Sequence, residues 1–309
     1  MPTTYPAAAP TISGDNVTIS RFLNNPTFLS RVLRTFRDLR FVSDQILTQR
    51  FRSNGGAVLY EQSEAFVSDR TVEAVSPGSE YPFASLPTGT AAIAAIVKWG
   101  QKHRLTDEEI ARSVYGGEAV SRSMQKVVNS IIRQVDGITM SAVQSAAADT
   151  ATAGSWDNAT AANRKPLEDV LLGVQRIEDR NQGFRPDTLV VSPKGYTYLM
   201  LNDGIAQLRK RESSDNPVYT GMIETIAGLT VLKTPSLTTT ALVLDSQQLG
   251  GMADETDGSP GYSVADLAVQ IKAIRQDDLD AWDLQGRRKT VPVIRETGAV
   301  EEITGVVAP

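Results

Sequence analysis

A single stretch, residues 106–148, constrains this chain more than any other. It opens Thr106-Asp107-Glu108-Glu109, which places the Thr106 hydroxyl to cap free amides and Glu109 to reach back to the Thr106 amide. Apolar residues then fall at Ile110, Val114, Val120, Met124, Val127, Val128, Ile131, Ile132, Val135, Ile138 and Val143. Steps of three, four and seven put them on one helical face. Arg122, Ser123, Gln125, Lys126, Asn129, Ser130, Arg133, Gln134 and Asp136 are assigned to the opposite face. Gly116-Gly117 is expected to divide the run into a short helix and a long one. At about 1.5 Å per residue the long one, 117–148, spans on the order of 48 Å. A helix far longer than the average of about 11 residues serves as a beam for other elements or as an extended contact surface.

What surrounds the helix carries little chemistry. Cysteine is absent, which removes disulfides, thiolate metal sites and cysteine nucleophiles. The one histidine, His103, leaves a Ser-His-Asp arrangement open but excludes metal sites that need two. A net charge of -5 argues against a protein that coats nucleic acid over its whole surface. No apolar run approaches the roughly 20 residues needed to cross a bilayer, and Met1-Pro2-Thr3-Thr4-Tyr5-Pro6 does not begin a secretion signal. Hydrophobic residues at 41% and charged residues at 22% are ordinary for a globular chain with one large core or two modest ones.

In chain order, residues 1–19 read as a flexible or extended leader rich in Pro, Ala, Thr and Gly. Residues 20–52 carry a helical pattern (Phe28, Leu29, Val32, Leu33, Phe36, Leu39) and seven arginines, at 21, 31, 34, 37, 40, 50 and 52, against Asp38 and Asp44 alone. Such an excess is either a solvated helix face or an arm that touches another subunit or a polyanion. Residues 55–90 read as an extended β-ribbon bracketed by Gly55-Gly56 and Ser76-Pro77-Gly78-Ser79, with too few large apolar residues for a core of its own. It should therefore lie on something else. Residues 91–99 are expected to be a buried strand leading to the helix, and 145–154, small and polar, a boundary.

An α/β segment follows. Helices are expected over 166–178 and after Ser192-Pro193, where proline takes the first helical position. Strands are expected at 188–191, 228–232 and 241–244, and loops at 202–220, which contains Arg209-Lys210-Arg211, and at 250–263. From Val264 onward the chain reads as extended throughout.

Catalysis finds no positive argument. Asp277, Asp278 and Asp280 cluster, but lack the glycine and terminal Glu of a Ca²⁺ loop. Glu61, Glu64, Glu73 and Glu80 sit on a weakly anchored ribbon, the wrong place for a rigid, desolvated acid-base pair. Phosphate-binding and nucleophile-elbow motifs are missing from any strand-turn-helix setting. We therefore assign no catalytic, cofactor-binding or metal-binding residues.

The order of parts resembles the major capsid proteins of tailed bacteriophages, with the Hong Kong 97-like capsid fold. The residues that carry the resemblance are the basic arm, the Gly-Gly-Ala-Val-Leu-Tyr entry at 55–60, Pro-Gly-Ser-Glu-Tyr-Pro at 77–82, the long helix, Thr188-Leu-Val-Val-Ser-Pro193, Gly228-Leu-Thr-Val-Leu, Ala241-Leu-Val-Leu-Asp245, and Val291-Pro-Val-Ile with Gly298-Ala-Val and Ile303-Thr-Gly305. The resemblance implies an α+β fold. Its parts are an N-terminal arm (1–54), an extended loop or β-ribbon (55–90), a peripheral domain with the spine helix (91–152), an axial domain (153–262) and C-terminal strands (263–309) that return to both domains.

It further implies a non-enzymatic subunit of an icosahedral virion, built of pentamers and hexamers around double-stranded DNA and assembled in the host bacterial cytoplasm. The chain itself is the main partner; a portal, a separate scaffolding protein, a decoration protein and non-specifically held DNA are further expected partners, and membrane is not. Only about twenty residues precede the arm, so a fused scaffold is not expected. Residues 55–90 contain no lysine, so the lysine-asparagine cross-links of some members are not expected either. The same segment has Glu61, Glu64, Asp69, Glu73 and Glu80 against Arg70, a net of minus four, which suits docking on a basic surface. An encapsulin-like shell around cargo protein shares this fold and stays open at this point, as does a hydrolase or binding protein with an α/β core at 155–250. On this reading the apolar face of the long helix packs on a sheet made of residues 91–99 and the C-terminal strands, and Gly116-Gly117 is the place to look for bending between shell states.

Overall fold

The computed structural model describes residues 41–308, apart from 64–66, 86–87, 113–115, 159, 161–162, 203, 206–222, 256–258 and 265–267. The leader, the arm helix expected over 24–39, the five arginines at 21–40, Glu64 and Arg209-Lys210-Arg211 lie outside these residues. In order, the elements are α1 (Ser43–Ile46), β1 (Gln49–Arg52), β2 (Ala57–Gln62), β3 (Thr90–Ala95), β4 (Val97–Thr106), α2 (Asp107–Arg112) and α3 (Gly116–Ala146). Then come β5 (Thr150–Thr152), α4 (Pro166–Asp179), β6 (Thr188–Val191), α5 (Pro193–Met200), β7 (Thr225–Ile226), β8 (Leu229–Lys233) and β9 (Ala241–Leu244). The chain closes with β10 (Gly250–Asp254), β11 (Ser263–Val264), β12 (Gln270–Gln276), β13 (Ala281–Ile294) and β14 (Val300–Thr304). These form two compact units, one from residues 98–131 and 256–288, the other from 41–97, 132–255 and 289–308. Both α3 and β13 continue from one unit into the other.

The capping box at the head of the helical stretch forms as its sequence dictates. The Glu109 amide donates to Thr106 Oγ1 at 3.3 Å, and the Thr106 amide donates to Glu109 Oε2 at 3.1 Å. A short helix and a long one follow; the long one runs to Ala146 and takes Gly116-Gly117, expected to divide the two, as its own first residues. In the first unit Val120, Met124, Val127 and Ile131 are buried. β13 covers Val127 and Ile131: an added Cβ on Gly286 would lie 2.8 Å from Val127 and 3.2 Å from Ile131, so the helix sits in a notch that only glycine leaves open. Antiparallel β12 and β13 pair from Gln270↔Arg287 to Gln276↔Ala281. The turn between them is tied to α2. Arg275 grips Asp107 with both terminal guanidinium nitrogens, at 2.7 and 2.8 Å, and the Asp107 amide donates to the Asp280 carbonyl at 2.9 Å.

In the second unit the helix buries Ile132, Val135, Met140 and Val143, together with Asp136 and Thr139. Asp136 was expected on the solvent side; so was Ser123, buried in the first unit. The reason is a partner distant in sequence. The Asp136 carboxylate accepts from the amides of Val42 at 3.2 Å and Ser43 at 3.0 Å, at the free N-terminal end of α1. Burial pushes this carboxyl up from its ordinary value, and the two amides oppose the shift.

Residues 41–52 are thus built into the fold. Phe41, Ile46 and Leu47 are buried, and β1 runs parallel to β10 from Gln49↔Gly251 to Arg52↔Asp254. The expected loop at 250–263 is corrected in the same place. Gly250–Asp254 is a strand buried at every position, between β1 and the second half of β13. Its glycines serve close backbone approach rather than a turn: a Cβ on Gly251 would lie 2.6 Å from the Gln49 carbonyl carbon.

The second sheet runs β5-β14-β9-β6-β8-β7. Its central strands β6 and β9 are buried at every residue, which is why their sequences are unbroken apolar runs. Ser192 caps α5 by accepting from the Gly195 amide at 3.0 Å, with Pro193 in the first turn as expected. Helix α4 packs through Gly173 onto Val243 of β9 and Ile303 of β14. Glu301 of β14 is fully buried and is held by Arg176 at 3.2 Å and Arg180 at 2.6 Å.

Candidate assembly surfaces

The β-ribbon is the largest departure from a globular rule. β2 and β3 pair antiparallel from Ala57↔Ala95 to Gln62↔Thr90, a two-stranded sheet among the described residues. Leu59 stands directly opposite Ile93, and both are open to solvent, 72% and 73% exposed. Cross-strand pairs of this kind stabilise a ribbon only modestly. The base of the ribbon is fixed within the second unit: the Ser63 amide donates to the Arg295 carbonyl at 2.8 Å, and Ser63 Oγ shares a hydrogen bond with Thr297 Oγ1 at 2.9 Å.

Beyond β2 the segment read as an extended ribbon over 55–90 forms no further strand before β3 among the described residues. Residues 67–85 bend and turn without forming a strand and are clasped by side chains. Asp69 accepts from the Ser85 amide at 2.9 Å and from Ser85 Oγ at 2.7 Å, while Arg70 pairs with Glu73 at 3.0 Å. A turn at Ser76–Ser79, with Gly78 at φ 87°, closes the far end. Val72, Tyr81 and Phe83 are 95%, 82% and 94% exposed. So much apolar side chain in water on one thin element marks a surface that another molecule covers.

The strand expected to be buried at 91–99 is likewise open. It divides into β3 and the ten-residue β4, in which Leu105 is the buried residue. Lys98, Lys102 and Arg104 alternate along β4 and are exposed, and His103 is half-buried beside them. Beneath them Asp283 of β13, fully buried, accepts from Lys102 at 2.8 Å and from Arg104 at 2.8 and 3.2 Å. The Arg104 hydrogen bond, more than any other cause, holds the Asp283 carboxyl well below the usual carboxylate range, and Lys102 adds to it. A depressed carboxylate stabilises the fold at every pH above its unfolded value near 4, and loses that contribution only as pH falls through its lower folded-state value. The cluster therefore holds the first unit together well into acid.

The acid groups considered for catalysis are not brought together. Asp277 and Asp280 are neighbours of Arg275, at 3.1 and 3.5 Å, and are exposed along with Asp278. Glu61, Glu73 and Glu80 stand in solvent along the ribbon and its loop. No group of three or more His, Asp or Glu that could hold a metal ion occurs among the described residues. Beside α4 an open apolar groove of about 440 Å³ is lined by Pro166, Leu171, Leu172 and Ile205. Its charged residues Lys165 and Glu168 pair with each other at 2.8 Å. What the described residues offer is exposed contact surface; the signal for it in the sequence is a ribbon that is acidic and without a core of its own.

Comparison with known proteins gives the same direction. Residues 89–301 match the family described as phage capsid protein. A search of curated proteins finds no match. Among solved structures, the capsid of the cyanophage P-SCSP1u is similar at 12% identity, with 84% of this chain and 86% of that chain covered and a TM-score of 0.62. The mature capsid of bacteriophage PhiM1 is similar at 9% identity, with 88% of each chain covered and a TM-score of 0.61. The virus-like particle from Pyrococcus furiosus is similar at 12% identity, with 89% of this chain and 96% of that chain covered and a TM-score of 0.58. At these identities the likeness is one of fold. No helix among the described residues is long and apolar enough to cross a membrane.

Proposed function

The chain belongs to the phage capsid protein family, structural subunits of the virion that associate into capsomers, and on that premise we propose that its copies close as pentamers and hexamers of an icosahedral head around double-stranded DNA. The family makes the chain a major capsid protein and a non-enzymatic one, and does not favour either the encapsulin-like compartment or the hydrolase. The observation that carries the finer reading is the ribbon. A subunit that ends its function as a monomer would not hold Leu59 and Ile93 in water on a two-stranded ribbon, nor Tyr81 and Phe83 on the loop beyond it. Laid across the next subunit, the same residues supply contact area, and many weak contacts repeated around a closed shell give cooperative assembly.

The division into arm, extended loop, peripheral domain with the spine helix, axial domain and returning C-terminal strands is kept as the functional division of the subunit. A portal, a separate scaffolding protein and DNA held by non-specific contact complete the proposal, with a decoration protein as a further partner. Expression of the full chain with electron microscopy of the product tests it. Closed particles hundreds of ångströms across are expected, and a compact monomer in sedimentation would overturn it. Boiling the same particles in detergent is expected to give a single 33.4 kDa band, because residues 55–90 offer no lysine for a cross-link. A ladder of covalent oligomers would overturn the non-covalent shell.

A further inference from the structure

We propose that Asp136 and the turn at Val42–Ser43 form a proton-operated latch, which fastens the root of the basic N-terminal segment to the long helix and closes more firmly in acid. Asp136 belongs to α3, and the basic segment 20–40 joins the described chain at Phe41. The two carboxylate oxygens are divided between two amides: Oδ2 accepts from Val42 and Oδ1 from Ser43. Phe41, Ser43, Ile46 and Leu47 are buried, as is Asp136 itself, so the joint is packed inside the second unit.

What the joint lacks is a cation. Among the described residues none pairs with Asp136. On α1, Asp44 adds a second negative charge. Arg50 of β1 is shared between Asp44 at 2.9 Å and Asp254 of β10 at 3.6 Å, and Arg52 is exposed. On β13, Lys289 is held by Glu255 at 2.6 Å. On α3 itself Arg133 is exposed, and Thr139 donates to Met252 Sδ of β10. A carboxylate in such a place gives up its hydration and gains no opposite charge, whereas a neutral acid gives up far less. Burial, the largest influence, therefore outweighs the two amides and the Ser43 hydroxyl, which favour the ion.

When the turn lifts away, Asp136 meets water and returns to the ordinary carboxylate range. The closed form thus binds its proton more tightly than the open form, and protonation favours closure by the same factor. Closure is firmest below the open form's value of about 4, and loosens as pH rises through the higher value of the closed form. The sense is opposite to that of Asp283, whose cations depress it. One amide yields in exchange: a protonated oxygen keeps less acceptor capacity, so Val42, the longer of the two contacts, gives way first.

Hydrogen exchange of the purified full chain, corrected for its intrinsic dependence on pH, tests the latch. The amides of Gln45, Ile46 and Leu47 report on it, because they donate back to the carbonyls of Val42 and Ser43. Their protection is expected to rise about threefold or more from about pH 7 to about pH 4.5. Asp136→Asn keeps the shape and cannot ionise, so its protection should be flat over the same range. Unchanged protection in the unaltered chain would overturn the latch, and so would an equal rise in the Asn variant, which would assign the response to another group. Asp44→Asn gives a second reading if Asp136→Asn does not fold. It removes the neighbouring negative charge, so the rise should shrink, and a rise of full size would overturn the proposal.

Discussion

Gly251→Ala is expected to cost the subunit on the order of 4 kcal/mol or more, enough to lose most soluble protein. The added methyl would overlap the Gln49 carbonyl oxygen and lie 2.6 Å from its carbon and 2.7 Å from Gln49 Cβ. Overpacking against a side chain is relieved by a rotamer change at about 1–3 kcal/mol; here the obstacle is backbone, and only separation of the strands relieves it. Separation breaks the ladder from Gln49↔Gly251 to Arg52↔Asp254. It also uncovers Ile46 and Leu47 and strains the hold of Asp136 on the amides of Val42 and Ser43. Thermal unfolding of the purified subunit checks this, with Gly137→Ala as the control. Gly137 lies in α3 with nothing within 4 Å of its added Cβ, so alanine there is expected to stabilise by up to about 1 kcal/mol. A Gly251→Ala melting point within two or three degrees of the unaltered chain would show that the β1–β10 approach is not obligatory.

The same glycine shows where sequence reasoning stops. Gly250-Gly251 beside acids and Pro260 carries every local sign of a loop, and the strand they form is recognisable only from Gln49, some two hundred residues away. Asp136 failed to declare itself for the same reason: spacing puts it among polar helix residues, and burial comes from the amides of residues 42 and 43. Features set by short-range chemistry were legible in full. The Thr106–Glu109 capping box, the Ser192-Pro193 helix start and the apolar strands at 188–191 and 241–244 each need only neighbouring residues to be specified. Residues 91–99 failed in a third way. Their composition suits burial, yet Ile93 and Val97 stand 73% and 44% exposed in the isolated subunit. An apolar pattern records that a residue will be covered and is silent on whether its own chain covers it.

That last point sets the largest expected effect on assembly. Leu59→Asp together with Ile93→Asp is expected to abolish particle formation and leave the subunit folded. Folding is spared because the two side chains face each other across a ribbon already in water, so little burial within the chain is lost. Assembly is not spared. Covering a leucine or isoleucine is worth roughly 1.5–3 kcal/mol each, so each subunit contact loses on the order of 3–6 kcal/mol, a factor of about 10² to 10⁴ in its equilibrium constant. Repetition of the contact around a closed shell multiplies that loss, and two buried carboxylates without partners would enlarge it. Sedimentation velocity and electron microscopy read assembly, while circular dichroism melting reads the fold. Leu59→Ala with Ile93→Ala should fall between the two, raising the concentration needed for assembly without abolishing it. Particles from the aspartate variant at the unaltered concentration would remove the ribbon from the interface and leave its exposure without a cause.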